Sequence, residues 1–247
     1  MQNLPMTSSQ ERSPQLYLRI AGLLYLAIIA LGLFGEAVVR RSLVVAGDAA
    51  ATAARIAAEP LLWRAGIAGD LLMHVLDLPV ILALYYLLRP VNRPLALLAT
   101  LFNLVQTAVL SANKLNLLLP VLLLEGSGIG QAFSATQLQA LAALAINLHG
   151  YGFGIGLIFF GIACLLRGWL IARSGFLPKP LGFVLLLAGL AYLVNSFALL
   201  LAPKLAAAMF PAILLPAFIG ELGLALWLIV KGVDLQQWAQ RRADALS

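Results

Sequence analysis

Asp70, His74 and Asp77 stand at i, i+4 and i+7 within the otherwise apolar stretch GDLLMHVLDLP, residues 69–79. At about 100° per residue they fall within an arc of roughly 60° on one helical face. Three titratable groups on one face can pass protons, hold a cation or hydrogen-bond a ligand. Their surroundings make the arrangement unusual. The chain is 62% hydrophobic and 11% charged, with a mean hydropathy of +0.98, whereas soluble domains carry about 25% charged residues. The apolar runs are long and rich in Leu and Ala, as transmembrane helices are, and lack the short alternation of barrel strands. An ionisable group at mid-membrane depth is costly and calls for a partner or a function.

Six segments are predicted to span, at about 17–39, 61–88, 94–119, 135–166, 180–201 and 205–231. Residues 44–60 are predicted to form a short surface helix capped by Asp48 and ended by Glu59-Pro60. A loop is expected over 120–133, and Ser134 with Gln137 reads as a capping box opening the fourth helix. The reading is an all-α, polytopic membrane bundle with a polar tail over 1–16, a single six-helix domain over 17–233 and a polar C-terminal tail over 234–247. The first apolar run, preceded by Arg12 and Arg19, has no small-residue cleavage site after it and reads as a retained helix. With both termini cytoplasmic, ten Lys/Arg face inward and five outward, Lys114 being left inside the third helix. No fixed-period repeat or inverted symmetry is evident.

Counting 1.5 Å per residue from the inner ends places His74, Asp77, Asn103, Gln106, His149, Asn195 and Glu221 between roughly 15 and 25 Å deep. Turned toward one another, they would form a ligand or proton pocket. Asp70 and Lys114 match in depth and are predicted to form an ion pair; Glu36 and Arg64 are a second candidate pair. Pro79, and Pro211 with Pro216, are predicted to kink helices two and six and give the pocket volume. His74, Asp77, His149 and Glu221 are also metal-ligand types, but no second spaced pair accompanies them, so no metal is assigned. A haem held by His74 and His149 is disfavoured by the carboxylates on the same face, and no cofactor is expected. Gly150, Gly152, Gly154 and Gly156 supply two overlapping G-x-x-x-G pairs, read as a close helix contact and not a phosphate loop. Cys164, the lone cysteine, reads as a packing residue.

The strings RIAGLLYL (19–26), LLRPVNRPLALLATLFNLVQ (87–106), LHGYGFGIGLIFFGIACLLRGWLIARSGFLPKPLG (148–182) and GELGLALWLIVKGV (220–233) resemble the domain-of-unknown-function 4386 family of bacterial integral membrane proteins. The resemblance implies a multi-pass protein of the bacterial cytoplasmic (inner) membrane and supplies no reaction. The reading favours a non-enzymatic protein that binds or moves a small molecule or ion through the polar pocket. Two alternatives stand beside it: a metal-dependent intramembrane hydrolase of lipid-like substrates, and a structural or accessory membrane subunit. The partners implied are the lipid bilayer and a small-molecule, ion or lipid-like ligand; the basic residues lie in short loops, so nucleic acid is not among them. Ligand identity and oligomeric state are not legible.

Overall fold

Runs of Leu, Ala, Ile and Val with few backbone breakers have one cheap solution away from water, the helix, which satisfies its own amides. The computed structural model describes residues 8–125, 128 and 130–245, with no side-chain description for 8–13 and 130. Part of both expected tails, and Gly126 of the expected loop, lie outside these residues. Among the described residues there are helices and turns and no strand. Six helices are long and apolar enough to cross a membrane: Pro14–Leu43, Pro60–Leu88, Arg93–Leu124, Ala135–Ser174, Lys179–Leu201 and Ala212–Val230, here called spans one to six. Span two shows why. Asp70 and His74 are buried, while Leu71, Leu72, Val75, Leu78 and Leu82 are turned outward, the inverse of a soluble helix and the pattern expected against lipid.

Several boundaries differ from the expected ones. The first helix already runs from Ser8, inside the expected tail. Span three passes through Pro120 to Leu124, where a loop was expected; the flanking residues LNLLLPVLLL are apolar, and a helix remains the way to satisfy their amides. Span four continues two turns beyond 166, to Ser174, and stops at Gly175, whose φ of +82° is left-handed. Pro79 lies within an uninterrupted helix. Pro211 and Pro216 do not kink span six but mark its start. A separate short helix, Pro203–Met209, ends before Pro211, and Pro216 occupies the first turn of Leu215–Val230, where a missing N–H costs nothing.

Local signals met in the sequence recur in the structure. Asp48 accepts from the amide of Ala51 at 2.8 Å and opens the helix Ala49–Ala58. Ser134 and Gln137 bond reciprocally, at 2.8 and 3.3 Å, at the start of span four.

The chain divides into two compact units. The first comprises Met1–Leu26, Leu76–Val105 and Leu157–Ser247. In it spans four and five cross nearly backbone to backbone. A Cβ at Gly168 or Gly182 would come within 2.7 Å of the other's carbonyl oxygen, so neither position admits a side chain. The C-terminal helix Leu235–Asp244 docks on this unit. Its Trp238 is buried and donates to Leu87 O at 3.2 Å, satisfying a carbonyl that the end of span two leaves without a helical partner. The second unit comprises Ala27–Val75 and Gln106–Gly156. Its apolar core is Val39, Leu43, Ile56, Trp63, Ile67, Leu117 and Val121. The buried indole of Trp63 donates to Leu117 O at 2.7 Å.

Asp234 caps the C-terminal helix, its Oδ1 accepting from the amides of Gln236 and Gln237 at 3.1 Å each. Those amide bonds, that of Gln237 first, hold its carboxyl below the usual Asp range. A depressed native value gives stability that is full above the unfolded-state pKa and is lost as pH falls through the native one. With 5-fluorotryptophan incorporated, the Trp238 fluorine resonance should therefore broaden and shift on acidification. In Asp234→Asn, which keeps the cap without the charge, it should not respond.

Candidate functional site

In the second unit the polar residues assemble around Asp70. Its side chain is 1% exposed, and Oδ2 lies 2.7 Å from Arg40 Nη1 and 2.9 Å from Lys114 Nζ. The Asp70–Lys114 pair inferred from depth is thus one half of a bridge between two cations. The other half is Arg40, one residue past the expected end of the first span at 39. It reaches inward because residues Phe34–Arg40 wind as a π-helix, a local widening often found at functional positions. Arg40 Nε also donates to Glu36 Oε2 at 2.7 Å. Glu36 therefore pairs within its own helix and not with Arg64, which bonds Glu125 at 2.6 Å. Gly35 faces Asp70 directly; a Cβ there would collide with Asp70 Oδ1.

Lys114 is equally buried and stands at a one-residue turn between the helices Arg93–Asn113 and Leu115–Leu124. Its ammonium is 3.3 Å from His149 Nε2. An ammonium can only donate, so the imidazole accepts at Nε2 and carries its proton on Nδ1. Asn113 fixes the backbone here, donating to His149 O at 2.9 Å. Gly152 makes room for it: a Cβ would occupy the space of Asn113 Oδ1, and a Cβ at Gly156 that of Leu110. The glycine run is a close helix contact, and what approaches it is a side chain that positions His149. His74 is 4% exposed, and among the described residues its Nε2 has no hydrogen-bond partner; nor has Asp70 Oδ1. Gln106 is buried in the same unit and accepts from Thr107 Oγ1 at 3.4 Å.

The first unit holds a different set. Glu221 receives the Tyr25 hydroxyl at 3.1 Å on Oε2 and the Tyr192 hydroxyl, in a very short contact, on Oε1. Asp77 accepts from Asn103 Nδ2 at 2.9 Å. Asn195 is half-buried and joins neither set. So the seven expected pocket residues divide: His74, Gln106 and His149 belong to one unit, and Asp77, Asn103, Asn195 and Glu221 to the other. Among the described residues no three His, Cys, Asp or Glu side chains converge as metal ligands would. Cys164 is buried. Sequence reasoning missed Arg40, Tyr25, Tyr192, Asn113 and Arg167. Arg40 and Arg167 stand near the expected helix ends and were counted as loop charges, while buried phenols resemble any interfacial tyrosine.

Removing one partner of a buried ion pair strands the other. Asp70→Asn should lower stability in detergent micelles by about 3–5 kcal/mol, read from the unfolding midpoint. Adding Lys114→Met should recover part of that loss by removing one stranded cation. Gly152→Ala should cost about 1–3 kcal/mol by overpacking and should shift the His149 ring resonances.

The profile of the family described as Domain of unknown function (DUF4386) matches residues 20–232. A protein from Archaeoglobus fulgidus, described as uncharacterized, is 29% identical over 171 residues, covering 69% of this chain and 86% of its own. No solved structure matches. With the profile spanning most of its length, the chain belongs to the DUF4386 family.

Proposed function

We propose that this is a multi-pass protein of a bacterial cytoplasmic membrane, with both termini in the cytoplasm, that binds or moves a small molecule or ion through protonatable groups within its helices. The observation that carries the reading is the Asp70 cluster. A carboxylate shared by two cations is tied through Lys114 to His149, and both His74 Nε2 and Asp70 Oδ1 are without partners among the described residues. A layer that served only to fix helix register would be expected to satisfy its own polar atoms, because each one left bare is costly away from water. Unpartnered polar atoms beside a proton-bearing network are what a visiting ion or hydrogen-bonding solute would occupy. Gln106, buried in the same unit, would extend that polar interior. The orientation rests on the excess of Lys and Arg in the loops that would face inward.

The test is a stability screen of the full chain in lipid nanodiscs, against monovalent and divalent cations and small organic solutes. At least one solute should raise the melting temperature. That rise should vanish in His74→Gln and in His149→Gln while both variants remain folded. A protein indifferent to every solute, or stabilised equally in both variants, overturns the reading in favour of a structural layer. Stoichiometric zinc or iron that is lost in His74→Ala or His149→Ala would transfer it to a metal-dependent enzyme.

A further inference from the structure

Arg167 is a buried charged group to which nothing above assigns a role. It lies on span four, beside the Gly168 crossing, and is 5% exposed. None of its N–H donors meets an acceptor among the described residues, and Nη2 is wholly buried. A guanidinium presents five donors in a fixed planar fork and keeps its charge. Leaving it bare in an interior is about the least favourable arrangement a side chain can take.

Among the described residues no carboxylate hydrogen-bonds it. Glu221, Tyr25 and Cys164 of the same unit lie within its electrostatic reach. Each oxygen of Glu221 holds a phenolic hydroxyl, and Asp77 accepts from Asn103. Among the described residues no acceptor meets the fork, and one from outside the chain would satisfy it. Its position suits an outside one. Arg167 is seven residues from the end of span four at Ser174, or roughly 10 Å at 1.5 Å per residue. Arg173 and Lys179 stand at that end, where they would draw anions toward it.

We propose that Arg167 is the recognition group of an anion site, taking the oxygens of a carboxylate or phosphate carried by a small molecule or a lipid headgroup. The planar fork matches two oxygens of either group at once. This goes beyond the protonatable-pocket reading and uses neither His74, His149 nor Lys114, so each can fail without the other.

The full chain in detergent is titrated with inorganic phosphate, butyrate, dihexanoyl-phosphatidylglycerol and, as a zwitterionic control, dihexanoyl-phosphatidylcholine. Melting temperature and native mass spectrometry are the readouts. At least one of the anions should stabilise the wild type, and Arg167→Gln should weaken its apparent affinity by about tenfold or more. Ligand-free Arg167→Gln should melt no lower than wild type, because it loses a bare charge and no bond. Arg167→Lys, which keeps the charge but not the fork, should fold and bind with intermediate affinity; it carries the test if the Gln variant does not fold. Stabilisation by phosphatidylglycerol alone assigns a lipid headgroup, and stabilisation by phosphate or butyrate a free anion. Equal binding by wild type and both variants overturns the proposal. So does binding by none of them, or a density map in which water alone links Arg167 to Glu221.

Discussion

One carboxylate organises the second unit. Asp70 is buried to 1% of its surface with two cations on a single oxygen. In water such a group would be worth little. Within a helix bundle the balance changes, because neither the acid nor the two bases can be left alone at tolerable cost. Each neighbour then becomes a condition of the others. Arg40 must arrive from span one, Lys114 from span three, and Gly35 must lack a side chain so that the acid fits. His149 is drawn in through Lys114 and held by Asn113, which in turn needs Gly152. Polar contacts therefore fix register here, where apolar contacts against lipid could slide. The same contacts leave a few atoms unanswered, and those atoms carry the functional reading.

The first unit solves a similar problem with neutral donors. Glu221 sits between two phenols, and its spans approach through bare backbone at Gly168 and Gly182. Arg167 stands beside that crossing without a hydrogen bond to any described residue. The two units thus differ in kind. One balances charge against charge, while the other holds an acid with hydroxyls and leaves a cation open.

The fold class was legible because hydropathy over twenty residues is a strong, additive signal. Six spans follow from it, and so do the caps at Asp48 and Ser134, where a single side chain satisfies named amides. Depth counting brought Asp70 to Lys114 because Asp70 lies on regular helix and the single turn residue Lys114 does not interrupt span three. It missed Arg40 because the π-helical turn changes which way that side chain points, and nothing in FGEAVVR announces a change of pitch. It placed Arg167 in a loop because an arginine ordinarily marks the end of a span; the helix runs on to Gly175, the residue able to turn left-handed. Pro211 and Pro216 were read as kinks within one helix, whereas the chain stops before the first and restarts around the second. Side-chain partners such as Tyr25 and Tyr192 depend on rotation about each helix axis, which composition does not encode.

The π-helical stretch at Phe34–Arg40 has a consequence for how sequences of this family can vary. A turn of this kind holds one residue more than the α-helical path between the same two points. Deleting one residue within it would restore regular pitch, which is locally favourable, and would leave the helix on either side in place. Relatives one residue shorter here can therefore keep the arginine, the aspartate and the lysine together. A gap in this segment marks a change of winding and not the loss of the cluster.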